Sequence, residues 1–196
     1  MLKEKLKDHR IILASGSPRR QQFFKEMGIP FIIDQRPVKE NYPSHLKDSE
    51  ITDYLSELKA KVFLKELKEK DILITSDTIV WHNEIALGKP QSTAEALAML
   101  ESLSGTTHKV ITSVSFTTLG FQKTVHSTTS VTFKSLSREE IEFYIQENRP
   151  FDKAGAYGIQ EWIGLIGITR IEGSYFNVVG LPTHLVYKTL LELASR

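Results

Sequence analysis

The chain has no cysteine and no long apolar run, and each absence excludes a class of protein. Without cysteine, its 196 residues can form no disulfide, no thiolate metal site and no cysteine nucleophile. No apolar stretch approaches the roughly 20 residues that a membrane-spanning helix needs. The first residues are charged and lack the apolar segment of a secretory signal, so we expect a cytoplasmic protein that does not bind membranes.

An excess of charge is missing as well. The chain carries 25 Lys and Arg against 24 Asp and Glu, which leaves a formal net charge of +1. This balance does not favour a general nucleic-acid binder, so any site for anions must be local. The six histidines show no metal-ligand spacing. A metal in this protein would therefore be a hard ion bound by oxygen, as Mg²⁺ is by a carboxylate together with substrate phosphates.

Apolar runs and helix-capping signals place strands and helices along the chain. A length of 196 residues allows one large domain or two small lobes. Capping boxes at Ser92–Glu95 and Ser137–Glu140 begin two of the helices. The predicted strands are 11–14, 31–33, 71–81, 85–87, 107–118, 124–133 and 163–171. The predicted helices are 18–27, 48–70 (continuous or broken once), 92–104, 137–148 and 184–194.

The most informative stretch is 13–20, Leu-Ala-Ser-Gly-Ser-Pro-Arg-Arg. Ser17 is a good N-cap and Pro18 suits the first helical position, so the stretch predicts a strand, a tight turn and a helix. Arg19 and Arg20 then fall in the first helical turn, where the helix dipole disfavours a cation by about 0.3–1 kcal/mol. A phosphate would turn this mismatch into a binding site, because free backbone N–H groups attract anions there. The alternative is that both arginines point into water.

A second anomaly is Asp77, which interrupts an apolar, β-branched run. A buried carboxylate must be hydrogen-bonded, ion-paired or bound to a metal, or its pKa must rise, and such groups are candidates for catalysis. The alternative is that the strand ends here and Asp77 caps a turn. Lys89 could reach the same place, whereas a solvated helix face is the simpler interpretation for Lys59. The glycine-rich segment 149–160 predicts either a loop that approaches a ligand or an ordinary connection.

Several stretches together resemble the Maf family of nucleoside triphosphate pyrophosphatases. They keep the family's order and extend from about residue 11 to residue 192. Each is weak alone, and jointly they are specific. The matching stretches are 14–20, 76–80, 88–90, 103–105 with His108 and Val110, 152–160 and 173–182.

This resemblance implies an α/β fold of the Maf/ITPase-like type, with a bent mixed sheet flanked by helices. It implies a single domain over residues 1–196, in which two lobes border a cleft lined by 14–20, 76–90 and 152–160. The implied activity is hydrolysis of a nucleoside triphosphate to the monophosphate and pyrophosphate, as house-cleaning of nucleotide pools. The implied partners are the nucleotide and, in a homodimer, a second copy of the chain.

Carried over residue by residue, the resemblance implies a role for each of several polar side chains. Asp77 is the implied catalytic residue, and it would hold a divalent ion together with Glu40. The ion would be Mg²⁺, with Mn²⁺ as the alternative. The remaining implied cleft residues are Ser15, Ser17, Arg20, Lys59 and Lys89 for phosphate, with Asp152 and Lys153 nearby.

Three markers point to one branch of the family. The branch that resembles dTTP/UTP pyrophosphatases has Arg after Ser-Pro, Thr after the catalytic Asp, and Gln after Tyr-Gly-Ile. Arg19, Thr78 and Gln160 match all three. The 7-methyl-GTP branch has an aromatic residue at the first marker and Gln at the second. We therefore expect dTTP and UTP as substrates, with a 7-methyl-GTP pyrophosphatase or a non-catalytic nucleotide-binding regulator of cell division as alternatives.

The chain also departs from the family pattern at four positions. Lys39 precedes Glu40 where an acid is more usual. Ser56 stands where alanine is common, and Ser113 and Glu161 replace usual glycines. None of these is a branch marker, although Glu161 adjoins Gln160 and bears on fine specificity.

Overall fold

The computed structural model describes residues 2–195 and contains one mixed β-sheet. The strand order is β2-β1-β3-β5-β6-β7, and β4 pairs with β3. β1 is parallel to β2 and to β3, whereas β4 is antiparallel to β3 and β7 is antiparallel to β6. The predicted mixed α/β class is confirmed. The strands are β1 (Arg10–Leu13), β2 (Ile32–Ile33), β3 (Asp71–His82), β4 (Ile85–Leu87), β5 (Thr107–Thr118), β6 (Phe121–Phe133) and β7 (Ile168–Glu172).

Helices flank this sheet. Among residues 2–195, no helix has both the length and the apolar character needed to cross a membrane. A short 3₁₀ turn, Ala154–Ala156, interrupts the predicted loop at 149–160. The helices are α1 (Leu2–Lys5), α2 (Pro18–Glu26), α3 (Ser49–Lys61), α4 (Thr93–Leu103), α5 (Arg138–Asn148), α6 (Trp162–Gly167), α7 (Tyr175–Val179) and α8 (Thr183–Leu193).

The chain divides into two compact units. The first unit contains the chain up to Asp77, Thr112–Ser127 and the chain from Gly180 onward. The second contains Thr78–Ile111 and Thr128–Val179. In the first unit, side chains from β1, from β3 and from α3 with the turns after it form a buried cluster. Its members are Ile12, Ala60, Phe63, Leu67 and Leu73.

Two helix starts test the predicted capping boxes. At α5 the box is complete, because Ser137 Oγ accepts from the Glu140 N–H at 3.2 Å and the Glu140 carboxylate accepts from the Ser137 N–H at 2.8 Å. At α4 only half forms. Ser92 Oγ accepts from the Glu95 N–H at 3.1 Å, but the Glu95 carboxylate accepts from Gln91 instead. Serine capping was therefore predicted correctly at both helices.

The helix predicted to reach Lys70 is too long, because α3 ends at Lys61 and turns follow. Phe63 and Leu67 remain buried in these turns, so they continue the apolar spacing without continuing the helix. The Arg36 guanidinium lies 4.1 Å from the centre of the Phe63 ring. The apolar periodicity therefore predicted which side chains are buried, but it did not distinguish a helix from the turns that follow it.

The strand predicted at 163–171 is wrong over its first half, where α6 forms, and β7 takes the second half. Gly164 permits this helix, because a Cβ atom there would lie 2.0 Å from the Ile159 carbonyl oxygen. α7 forms within the matched stretch 173–182, for which no helix is predicted, and β6 begins at Phe121, three residues before its predicted start. α6, β7 and α7 are short and lack strong periodicity, so packing decides their form.

A buried aromatic group in the second unit contains a histidine. His108 shares a hydrogen bond of 2.7 Å with the Tyr157 hydroxyl, and its ring stacks on Phe133 at a centroid distance of 5.6 Å. Burial, assisted by nearby His82, lowers the pKa of His108 to about 3. The native state therefore holds His108 neutral, whereas the unfolded chain binds a proton near pH 6.5.

Because the native pKa of His108 lies below the unfolded value, its neutral burial favours folding above about pH 6.5 and loses that advantage as pH falls. We expect wild type to lose about 2 kcal/mol more unfolding free energy than His108→Gln between pH 7 and pH 5. Urea unfolding at both pH values measures this difference. His184→Gln, at an exposed histidine, is the matched control and should follow wild type. Parallel curves for wild type and His108→Gln would contradict the assignment.

Candidate active site

Asp77 lies within β3 of the sheet, and the strand continues beyond it to His82. The interpretation of Asp77 as a turn cap at a strand end is therefore wrong. Its side chain is buried, and Oδ1 lies 2.5 Å from the Lys59 Nζ atom. The buried Asp77 carboxylate is therefore stabilised by an ion pair.

Lys59 comes from the last turn of α3 and joins two carboxylates. Its Nζ atom lies 3.2 Å from Glu40 Oε1, besides its contact with Asp77, and donates to the Ser76 carbonyl oxygen at 3.4 Å. Only 18% of the Lys59 side chain is exposed, against 51% for Glu40. The interpretation of Lys59 as part of a solvated face is therefore wrong.

Hydroxyl groups fix α3 against the sheet and so position Lys59. Thr75 Oγ1, two residues before Asp77, donates to the Ser56 carbonyl oxygen at 2.7 Å. Ser56 Oγ pairs with Ser115 Oγ at 2.7 Å, and Thr52 Oγ1 pairs with Ser113 Oγ at 2.6 Å. All of these residues are buried. Two departures from the family pattern, at 56 and 113, thus lie in one helix–sheet contact.

Arg20 is held in place from both sides of its guanidinium. Nε donates to the Gly180 carbonyl oxygen at 2.8 Å, and Nη1 donates to the Ser76 carbonyl oxygen at 3.1 Å. Burial lowers the pKa of Arg20, and the negative charge of Asp77 opposes this. For Arg20, the alternative that it simply points into water is wrong. Arg19 beside it is half-buried.

The turn before α2 uses both of its serines in local bonds. Ser17 caps the helix, because its Oγ accepts from the Arg20 N–H at 3.4 Å, with Pro18 at the first helical position as predicted. The buried Ser15 Oγ accepts from the Ser17 N–H at 3.2 Å. The first unit contains six of the predicted site residues, which are Ser15, Ser17, Arg20, Glu40, Lys59 and Asp77.

The carbonyl oxygen of Ser76 was not among the predicted site atoms. It accepts hydrogen bonds from both Arg20 and Lys59, so two cations converge beside Asp77. No sequence signal could identify this acceptor, because every residue carries a carbonyl group. Gly180, the other acceptor for Arg20, lies in the matched stretch 173–182 and was equally hidden.

In the second unit, the segment 152–160 packs against the hairpin of β3 and β4. The Gly155 N–H donates to the Gly88 carbonyl oxygen at 3.0 Å. Gly155 has a φ of +66°, and a Cβ atom there would lie 2.7 Å from Val80 Cγ2, so this close approach requires glycine. The contact places the segment beside Lys89, whose side chain is exposed.

Lys153 in this segment is buried between two carboxylates. Its Nζ atom lies 2.6 Å from Asp152 Oδ1 and 2.9 Å from Glu161 Oε1. Sequence reasoning named Asp152 and Lys153 but gave Glu161 no role beyond its departure from the family. Gln160 is exposed, and Thr78, which follows Asp77 on β3, is half-buried.

Within residues 2–195, no group of three or more His, Asp or Glu side chains is arranged to hold a metal ion. The predicted metal ligands Glu40 and Asp77 are instead linked through the Lys59 ammonium. The Lys59 ammonium and the Arg20 guanidinium, which interacts favourably with both carboxylates, together balance the two negative charges.

Comparison with known proteins gives consistent matches over the whole chain. The family model described as Maf-like protein matches residues 10–193. A dTTP/UTP pyrophosphatase from Christiangramia forsetii is 63% identical over 195 residues, and the match covers 100% of both chains. One from Flavobacterium johnsoniae is 58% identical over 193 residues, covering 98% of this chain and 100% of the relative.

Among solved structures, the Ham1 protein of Staphylococcus aureus is similar over 63% of this chain and 71% of its own. The identity is 16% and the TM-score is 0.47, which is too low to establish a common fold. The assignment rests on the sequence matches. They extend through the strand that carries Asp77, the helix that carries Lys59 and the segment that carries Gln160, and the chain belongs to the Maf family.

Proposed function

We propose that this chain hydrolyses dTTP and UTP to the monophosphate and pyrophosphate, as house-cleaning of nucleotide pools. The observation that carries the proposal is the buried Asp77 carboxylate, held by the Lys59 ammonium. The relatives that match the whole chain bear the name dTTP/UTP pyrophosphatase. Their names favour this substrate pair over 7-methyl-GTP and over a regulator without turnover.

The triphosphate needs positive charge and hydrogen-bond donors. Arg20 and Lys59 supply cations beside Asp77. A guanidinium presents its N–H groups in a planar fork that matches two phosphate oxygens, a geometry that an ammonium lacks. We assign the phosphates to Ser15, Ser17, Arg20, Lys59 and Lys89.

Asp77 is the proposed general base. A water molecule attacks the α-phosphorus, its proton passes to the Asp77 carboxylate, and the bond from the α-phosphorus to the bridging oxygen of pyrophosphate breaks. Lys59 orients the carboxylate through the contact of 2.5 Å. A positioned base of this kind typically contributes about 10²–10⁴-fold to the rate.

Glu40 and Asp77 are the residues that would hold a divalent ion, Mg²⁺ or Mn²⁺. Their oxygens are hard donors, and both carboxylates contact one cation, the Lys59 Nζ atom. This donor set fits an ion that is held by one or two carboxylates together with substrate phosphates. When bound, the ion would supply positive charge to the phosphate oxygens.

Base recognition is assigned to the three branch markers. The Gln160 amide offers both a donor and an acceptor, which suits the edge of a uracil or thymine ring, and Thr78 adds a hydroxyl. Arg19 is the third marker. Asp152 and Lys153 are proposed as supporting residues of the same site.

A homodimer and a location in the cytoplasm stay predictions. Light scattering tests the first, and fractionation of cells tests the second.

The first test measures pyrophosphate release from dTTP, UTP, CTP, 7-methyl-GTP and ITP with Mg²⁺. We expect release from dTTP and UTP, and a loss of about 10²–10⁴-fold in kcat for Asp77→Asn because the base is removed. Asp8→Asn changes an exposed carboxylate to the same amide and should retain wild-type rates.

Near-normal turnover by a folded Asp77→Asn variant would refute the assignment of the base. If the wild type binds nucleotides but releases pyrophosphate from none of them, the binding regulator becomes the better interpretation. Omitting Mg²⁺ and adding a chelator tests the divalent ion in the same assay.

A second test concerns the branch markers. Arg19→Trp combined with Thr78→Gln should shift the ratio of kcat/KM from UTP toward 7-methyl-GTP by about tenfold, because an aromatic ring and an amide replace the residues assigned to pyrimidines. Competition between the two nucleotides measures the ratio. An unchanged preference in a folded, active variant would mean that these positions do not select the base.

A further inference from the structure

The Gln160 side chain is carried by a tight turn in the second unit. The Glu161 N–H donates to the Gly158 carbonyl oxygen at 3.0 Å, and this bond closes the turn around Ile159 and Gln160. Gln160 itself is exposed. Its neighbour Ile159 is buried. The orientation of an exposed side chain on a turn depends on what holds the two ends of that turn.

One hydroxyl group holds both ends. Tyr144 is a buried residue of α5, and its hydroxyl oxygen accepts from the Gly158 N–H at 3.0 Å. The same hydroxyl donates to Glu161 Oε2. The first and last residues of the turn are therefore bonded to one atom of a rigid helix.

The second carboxylate oxygen of Glu161 is also engaged. Glu161 Oε1 lies 2.9 Å from the Lys153 Nζ atom, which also contacts Asp152. The carboxylate packs closely on the turn, since a Cβ atom at Gly158 would lie 2.8 Å from Glu161 Cδ. This carboxylate thus connects the turn to a buried ammonium as well as to the Tyr144 hydroxyl.

The turn is supported from the side of α6 too. Gly164 lies so close to the Ile159 carbonyl oxygen that a Cβ atom would be 2.0 Å from it. Phe143 of α5 and Trp162 of α6 pack edge to face at a centroid distance of 4.9 Å. Burial, then the hydrogen bond to Glu161, and then the charge of that carboxylate raise the pKa of Tyr144, so the hydroxyl keeps its proton and remains a donor.

We propose that Tyr144 and Glu161 are positioning residues that fix the Gln160 turn for recognition of the pyrimidine base. The inference rests on the proposed function, in which Gln160 reads the base edge. An amide that must distinguish uracil from cytosine has to be held closely in place, because its donor and acceptor would otherwise exchange roles. Glu161, where the family usually has glycine, supplies a tie that glycine cannot make.

The test compares UTP with CTP in Tyr144→Phe and Glu161→Gln. We expect each change to lower the ratio of kcat/KM for UTP to kcat/KM for CTP by about tenfold, mainly through a higher KM for UTP. In a Gln160→Ala background the same changes should leave this ratio unaltered, because the residue through which they act is absent. Amide hydrogen exchange should be faster at 158–161 in Tyr144→Phe than in wild type.

Tyr187→Phe on α8 is the matched control, since it also removes one tyrosine hydroxyl, and it should keep the wild-type ratio. Thermal unfolding shows whether each variant is folded. If Tyr144→Phe fails to fold, the result for Glu161→Gln decides the test. If the wild type is active but the folded variants keep its UTP-to-CTP ratio of kcat/KM, this inference alone is overturned. It is also overturned if the variants lower that ratio equally in the Gln160→Ala background. A wild type that hydrolyses no nucleotide overturns the proposed function, and this inference falls with it.

Discussion

A carboxylate buried in the middle of a strand must have a cation, and this requirement organises the first unit. An unpaired charge at Asp77 would cost several kcal/mol, so an ammonium must be delivered to it. Lys59 reaches it from α3, and the hydroxyl bond from Thr75 to the Ser56 carbonyl oxygen fixes that helix beside the strand. Glu40 shares the same ammonium. The ion pair with Asp77 and the hydroxyl bonds of α3 together hold Lys59 in the site.

The same constraint resolves the unfavourable arginine at the start of α2. The guanidinium of Arg20 does not extend into water to reduce its repulsion by the helix dipole. It bonds to the carbonyl oxygens of Ser76 and Gly180, and the charge of Asp77 acts in its favour. An arginine that binds carbonyl groups at an N-terminus costs less than an unpartnered one and remains close to where an anion would bind. The unfavourable position of Arg20 at the helix N-terminus is thus compensated by its bonds to carbonyl groups and by the charge of Asp77.

Three of the four departures from the family pattern, at 56, 113 and 161, have bonded partners in the structure, whereas Lys39 is exposed. Ser56 and Ser113 belong to hydroxyl pairs between α3 and β5, where alanine and glycine would make none. Glu161 neutralises the buried Lys153 and bonds to Tyr144. Buried polar groups are tolerated when each is satisfied, and a network of this kind specifies one arrangement of the helices.

The sequence by itself determined the local features. Serine caps, the strand–turn–helix at 10–26, the anomalous Asp77 and the mixed α/β class all follow from patterns within a few residues or from the family's motifs. It also placed Gln160 in a polar loop, although the roles of the site residues stay predictions.

Only the tertiary structure decided which lysine pairs with Asp77, where α3 ends, and that α6 forms in place of a strand. It also decided that Glu161 joins Lys153 to Tyr144. These outcomes depend on contacts between segments distant in sequence. Lysines on one helix look alike until a carboxylate lies opposite one of them, and an apolar spacing cannot tell a helix from a turn that buries the same side chains.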